Sequence, residues 1–488
     1  MAPPSVLIAG AGPTGLILAL DLLQNGVSVR IIEKELKHRI GSRGSANPVH
    51  SNSKYKPGEV EPTTISEIAE RVEATPDVPH PNTLSISQER HEEILRDHLR
   101  KLSCSVELGS ELRSFEQFSD YVVAKIVRTN ADGEQMEEST NFDWLAGMDG
   151  ARRQHRVDPR FWHMWHVPPK FLVFRSSNFT GKVFMFAYTG RPEHLAEKDL
   201  TREEFIEEFY DVTGRGDITF GLAAWMSNWR PNLRMVDTMR TGRLFIAEDA
   251  THCHSPTGGQ GLNSSVQDAA NLGWKLALVQ KGLAPAALLD TYSEERIRVI
   301  AQMLKPWPAD PSAWKRDGDL KMLGVNYCGS SIVLEDAARA GAGASSNAYS
   351  RAAGSAVQAA YRAPDASGLV RAGPTDEPTT LFAVFRVSVH TVLLFGGDAG
   401  ARAPVASVLG RLPEAAVCTV LVLPQGQTAA DDGALFSAVL EDRAGHAYAG
   451  YGLTAGELAV VVVRLDGVVG AVVSNAEGIE RYFQKVLV

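Results

Sequence analysis

Cysteine is scarce in this chain. There are four in 488 residues, Cys104, Cys253, Cys328 and Cys418, and no two form a C-x-x-C pair. That spacing gives neither a disulfide framework nor a structural zinc site, and a reducing, cytoplasmic setting is expected. A basic excess is also missing. Lys and Arg number 49 against 58 Asp and Glu, the net charge is −9, and the cations are scattered rather than clustered. Nucleic acid and an anionic membrane surface are therefore not expected as partners. No long apolar run survives inspection either: the first is broken by Gly10, Gly12, Pro13 and Gly15, reaches Asp21, and has no basic residue ahead of it. It is too short and too interrupted for a signal peptide or a membrane span.

What is present begins at the N-terminus. The apolar share of 44% is ample for real cores, and the length suggests about three domains. Ser5 to Ala9 predicts a buried strand, Gly10-Ala11-Gly12-Pro13-Thr14-Gly15 a tight turn, and Leu16 to Gln24 a helix. Asn25-Gly26 breaks that helix before a second strand, Val27 to Ile32, which ends at Glu33-Lys34. This is a βαβ unit with the G-x-G-x-x-G spacing of dinucleotide binding. Gly10 serves the turn, Gly12 lets a pyrophosphate approach backbone N–H groups, and Gly15 packs helix on sheet. The helix N-terminus favours the negative charge, and Glu33 is placed to accept hydrogen bonds from a ribose.

Beyond Lys34 the pattern weakens. A polar segment starting at Ser42-Arg43-Gly44 runs to about Thr83, with a short helix expected over Ser66 to Val72. Leu84 to Gln88 predicts a strand, followed by a helix from Glu89 with Ile94, Leu95, Leu99 and Leu102 at helical spacing. Strands are expected at Val106 to Leu108 and Tyr121 to Val127, and at Phe142 to Met148, whose tip carries Asp149-Gly150. An aromatic-rich α+β insertion extends from about Arg156 to Asn232, with a helix near Arg202 to Tyr210. Thr241 to Ala247 is strand-like and ends at Glu248-Asp249. The small-residue stretch from His252 to Asn263 then feeds a long helix, the arrangement of a loop whose backbone closely approaches a ligand. Helices follow near Pro285 to Tyr292 and Glu294 to Leu304. Residues 336–378, rich in Ala, Gly, Ser and Pro, suggest an extended connection. Valine-rich strands at Val389 to Phe395, Val417 to Leu423 and Leu458 to Leu465 indicate a separate small α/β domain.

Gly10 to Leu16, Glu33-Lys34, Ser42-Arg43-Gly44, Asp149-Gly150-Ala151-Arg152, Asp249 to His252 and Pro256 to Asn263 occur in an order that resembles the FAD-dependent aromatic hydroxylases. The chain is similar to the single-component flavoprotein monooxygenases with the para-hydroxybenzoate hydroxylase fold, in their phenol-hydroxylase-like branch. Ser293 to Arg296, Tyr361 to Asp365 and Arg464 to Gly467 look similar to that branch too. The resemblance implies an α/β protein: a Rossmann-type FAD-binding domain, an inserted α+β substrate domain and a C-terminal thioredoxin-like domain. The division it suggests is 1–155 for the first FAD-binding part, 156–235 for the substrate domain and 236–335 for the FAD-binding loop and helices. A linker at 336–378 and the thioredoxin-like domain at 379–488 complete it.

By the same resemblance, Gly10, Gly12, Pro13 and Gly15 hold the FAD pyrophosphate and Glu33, with Lys34 beside it, the adenosine ribose. Arg43 lies along the phosphates, and Gln88, in a Gln-x-x-x-Glu pattern with Glu92, meets the flavin chain. Asp149-Gly150 is associated with both FAD and NADPH. Asp249 binds the ribityl chain, while Pro256, Gly259, Gln260, Gly261, Leu262 and Asn263 wall the flavin ring. The implied activity is an NADPH-using monooxygenase that hydroxylates a small phenolic or related aromatic compound through a flavin hydroperoxide formed with O₂. Secondary metabolism or aromatic degradation is the expected setting. No residue is singled out as a catalytic base.

Other features have plainer readings. His252-x-His254 is expected to be structural rather than a metal pair. The Phe161 to His166 cluster and Tyr188 are expected to pack in a core, with a substrate pocket as the alternative. The C-terminal domain lacks C-x-x-C, so oligomer contact, a homodimer for example, or scaffolding is preferred to a redox role. Three departures favour an alternative function, a degenerate flavin-fold protein acting as an interaction partner. Residues 45–83 lack an apolar, arginine-bearing helix, and the segment after Gly150 is short. Glu248 also stands where the family has Gly. A carboxylate about 5 Å from a phosphate costs on the order of 3 kcal/mol at an effective dielectric of about 20, a cost that rotation toward solvent would remove.

Overall fold

The computed structural model describes residues 4–35, 47–48, 51–67, 71–82, 84–86, 88–130, 132–148, 161–176, 184–189, 200–221, 223, 226, 234–253, 260–304, 321–336, 347–350, 356–372, 377–427, 429 and 431–488. Its first sheet has six strands in the order Arg240–Thr241, Leu244–Ile246, Trp144–Gly147, Val6–Ala9, Val29–Glu33 and Glu107–Leu108. All neighbours run parallel except the edge strand Arg240–Thr241. Period-two alternation divides the central strand between two cores. Val6 and Ile8 face helices α1 (Pro13–Gln24) and α2 (Gln88–Lys101), whereas Leu7 faces a three-stranded antiparallel sheet through Val122, Ala124, Ile126 and Phe142. Strands buried on both faces must be apolar throughout, which is why Val6-Leu7-Ile8 was legible as a strand.

A second sheet has five strands, in the order Phe184–Thr189, Lys170–Ser176, Phe161–Val167, Ser51–Tyr55 and Thr64–Glu67. Helix α3 (Arg202–Thr213) covers one face and packs Phe209 and Val212 on Trp165, Leu172 and Phe174. Its start is fixed by a capping box between Thr201 and Glu204, its end by Gly214 in the left-handed region. Two of the five strands come from the polar segment before residue 83, well outside the expected 156–235 boundary. The helix expected to begin at Ser66 is not formed there. Thr64–Glu67 is a strand paired with Ser51–Tyr55, and Thr63-Thr64-Ile65 supplies the β-branched residues that suit it.

The chain then forms α4 (Gly261–Gln280) and α5 (Asp290–Met303). The remainder builds an eight-stranded mixed sheet around His390–Phe395. That strand runs parallel to Val417–Pro424 on one side and antiparallel to Ala459–Val463 on the other, and Val469–Val473 follows outward. Helices Ala399–Leu409 and Ala476–Val486 cover one face, where Trp274 and Leu278 of α4 join the same core. The stretch 336–378, expected as an extended connection, contributes structure of its own. Val357, Ala363 and Ala366 are core residues, and Leu369–Arg371 and Glu377–Thr379 widen the sheet. Among the described residues no helix is long and apolar enough to cross a membrane.

Candidate functional site

The glycine turn has the geometry its spacing demands. Gly10 sits at φ +107° and its N–H donates to the Ile32 carbonyl at 2.9 Å. A Cβ on Gly15 would lie 2.1 Å from the Gly10 oxygen, so only glycine allows α1 to pass this close to the strand end. At Gly12 a Cβ would meet nothing within 4 Å, leaving open space beside the backbone. Gly12 is the N-cap of α1, no side chain caps it, and Pro13 opens the first turn. The N–H groups of that turn are thus available to an anion. Glu33 Oε2 accepts from Ala11 N–H at 3.1 Å and ties the second strand tip to the turn, with exposed Lys34 next in the chain.

Facing this turn is a second arm. Strand Leu244–Ile246 runs through Ala247 into a 3₁₀ turn, Glu248–Ala250, and then His252–Cys253. Asp249 is exposed at the tip of that turn. Glu248 adopts φ +59°, and its side chain reaches α1, where Oε2 accepts from Thr14 Oγ1 at 2.8 Å. The carboxylate is therefore turned inward, and the expected relief by rotation toward solvent does not occur. Burial, partly opposed by the Thr14 hydrogen bond and reinforced by Asp249, raises its pKa to about 7.

Asp268 of α4 holds the arm in place. Its Oδ2 lies 3.0 Å from His252 Nε2 and accepts from the Glu248 N–H at 3.3 Å; its Oδ1 accepts from Arg296 Nε at 2.7 Å. Burial opposes ionisation of this carboxyl, but Arg296 and His252 outweigh it and keep the pKa below the usual carboxylate value. His252 is thus tied into this network, and His254 lies outside the described residues. After the arm, Gln260 is buried and precedes α4, whose first turn carries Gly261, Leu262 and the exposed Asn263.

The structure brings together Gly10, Gly12, Pro13, Gly15, Glu33 and the Glu248–Asp249 turn at one end of the parallel sheet. Gln88 opens α2, and its pattern partner Glu92 accepts from Arg96 Nη1 at 3.2 Å. Arg43, Asp149, Gly150, Pro256 and Gly259 lie outside the described residues. Thr14, Asp268 and Arg296 were missed from sequence. The available signal was a polar stripe, Ser264, Asp268, Asn271 and Lys275, at helical spacing in a helix whose other buried positions, Ser265 apart, are apolar.

The aromatic strands pack as a core. Trp165 is 1% exposed and stacks on Tyr55 and Phe174, and Tyr55 Oη is 2.9 Å from His163 Nδ1. Tyr188 donates to Glu208 Oε2 at 2.6 Å, where Lys170 Nζ also donates at 2.8 Å, so its hydroxyl is engaged with α3. Met164 and Val173, on the sheet face away from α3, are also buried.

Residues 4–160 and 163–306 match the FAD binding domain family. A flavin-dependent monooxygenase of Mycobacteroides abscessus is 31% identical over 81% of this chain and 89% of that protein. The 6-methylpretetramide 4-monooxygenase of Streptomyces rimosus is 32% identical over 62% of this chain and 60% of its own length. Among solved structures, the complex of aklavinone-11 hydroxylase with FAD and aklavinone superposes with a TM-score of 0.72 at 20% identity, covering 99% of both chains. The match spans both arms of the site, the glycine turn and the Glu248–Asn263 stretch, and so disfavours the degenerate alternative. The chain belongs to the FAD-dependent aromatic hydroxylases, and it is an FAD-dependent monooxygenase.

Proposed function

We propose that this enzyme hydroxylates a phenolic or related aromatic compound, with NADPH as reductant and O₂ as oxygen donor, in secondary metabolism or aromatic degradation. The observation that carries it is the meeting of an uncapped α1 N-terminus with the Glu248–Asp249 turn at one sheet end, which suits a dinucleotide with its diphosphate at the glycine turn and its far half along the second arm. When bound, FAD supplies the oxygen-activating chemistry. Gly10, Gly12, Pro13 and Gly15 orient its pyrophosphate, Glu33 and Lys34 its adenosine end, and Asp249 the ribityl chain. Gln260 to Asn263 flank the ring at the start of α4, with roles for Arg43, Gln88, Asp149, Gly150, Pro256 and Gly259 as the resemblance implies. Related proteins act on 6-methylpretetramide and pentachlorophenol, consistent with an aromatic substrate here.

The C-terminal sheet order, Val469–Val473, Ala459–Val463, His390–Phe395, Val417–Pro424, supports a thioredoxin-like domain that serves as scaffold or oligomer contact. The test of function is NADPH oxidation across a panel of phenols with product analysis. Oxidation stimulated by an aromatic, with oxygen from O₂ in the product, is expected. NADPH consumption that yields only peroxide with every compound contradicts the proposal.

A further inference from the structure

Glu248 combines two costly features. Its φ of +59° lies in the left-handed region that glycine tolerates best, and its carboxylate accepts from the hydroxyl of Thr14 in the first turn of α1. That helix end has no side-chain cap of its own, and the G-x-G-x-x-G turn is the place where a pyrophosphate gains most from backbone N–H groups. The groups facing Glu248 offer little neutralisation. Asp249 adjoins it in the turn and Asp268 faces it from α4, both raising its pKa, with His252 opposing them. Thr14 contributes only a hydroxyl, Glu33 at the neighbouring strand tip holds Ala11, and Arg296 of α5 is bonded to Asp268.

We propose that Glu248 is an internal counter-anion of the dinucleotide turn: its carboxylate, hydrogen-bonded to Thr14 in the first turn of α1, lies beside the place of the FAD diphosphate, and binding of that diphosphate requires it to take up a proton. This rests on the FAD reading and adds to it a linkage between cofactor affinity and pH. A carboxyl already raised to about 7 is raised further by a diphosphate beside it. Below about pH 7 the carboxyl is mostly protonated with or without FAD, and affinity is level. Above that value each pH unit weakens binding by up to about tenfold, until the pKa of the complex is passed.

The experiment uses the full-length protein with FAD as the probe. Binding is followed by flavin fluorescence between about pH 6 and 8.5 for wild type, Glu248→Gln and Glu248→Gly, with circular dichroism at each pH to verify folding. Calorimetry in two buffers of different ionisation enthalpy counts protons. Wild type should lose affinity above pH 7 and take up about half a proton at pH 7. Both variants should give level profiles, bind about tenfold more tightly than wild type at pH 8, and take up none. A wild-type profile that superimposes on those of the variants overturns the proposal alone, as does weaker binding by both variants at every pH. Absence of FAD binding by all three proteins at every pH overturns the FAD reading and the proposal with it. Should one variant fail to fold, the other and the wild-type proton count still decide.

Discussion

Glu295 and Arg296 are neighbours in α5, yet they anchor different parts of the molecule. Glu295 receives Lys275 Nζ at 2.8 Å, Asn271 Nδ2 at 2.6 Å, Ser330 Oγ at 2.7 Å, and the Arg464 guanidinium at 2.7 and 3.0 Å. Arg464 belongs to the C-terminal part and also pairs with Asp466, which accepts from Trp274 Nε1 of α4 at 3.2 Å. Arg296 turns instead to Asp268, and through it to His252 and Glu248. Adjacent helical residues point about 100° apart, so one turn of α5 serves two networks. The first fixes a domain and the second fixes a loop. The α4–α5 pair is thus a wedge shared by the cofactor arm and the C-terminal sheet, whose core it also enters through Trp274 and Leu278.

Substitutions in the two networks should separate these roles. The largest effect is expected for Glu295→Ala, which leaves buried Lys275 without its carboxylate and Arg464 with Asp466 alone. A loss of roughly 3–5 kcal/mol should appear in thermal unfolding, with FAD affinity little changed in the protein that remains folded. Asp268→Asn should cost less stability, about 2 kcal/mol, but weaken FAD binding about tenfold by releasing the Glu248 turn. Equal losses of affinity in the two variants would erase the distinction.

A third probe lies where α1 meets α4. Burial, reinforced by Asp466, raises Asp21 to about 8, and a Cβ on Gly273 would fall 1.8 Å from its Oδ2. A carboxyl with a raised folded pKa contributes stability that is present below its unfolded value of 3.8 and is lost as pH rises toward 8. Asp21→Asn should therefore flatten the stability profile between about pH 4 and 8 and raise stability at pH 7, as read by denaturant unfolding. The smallest effect is expected for Tyr188→Phe, which loses one hydrogen bond to Glu208. A cost of about 0.5–1 kcal/mol with aromatic-stimulated NADPH oxidation retained would place Tyr188 in the core rather than on the substrate.

The parts legible in sequence were those whose local pattern and tertiary role agree. Val6 to Ile8 and the stretches Val392 to Phe395 and Val420 to Leu423 are apolar because they are buried on both faces. Ser51–Tyr55 was illegible because Ser51-Asn52-Ser53-Lys54 has no apolar alternation; its ladder partner Phe161–Val167 makes it a strand. At the site, Gly10, Gly12, Gly15 and Glu33 could be placed from spacing alone. Glu248 could be flagged as unusual in sequence, but its positive φ and inward carboxylate depend on Thr14 and Asp268, 234 and 20 residues away. The polar stripe of α4 marks Asp268 but not its partners, so the pairing behind the cofactor arm emerged only with the fold.

The most direct measurement is the visible spectrum of the purified protein after incubation with FAD and removal of free cofactor. Retained flavin absorbance, lost when Gly15 is replaced by Val, is the result this account predicts, because a Cβ at that position collides with the Gly10 carbonyl. A colourless protein that stays colourless with added FAD would contradict it.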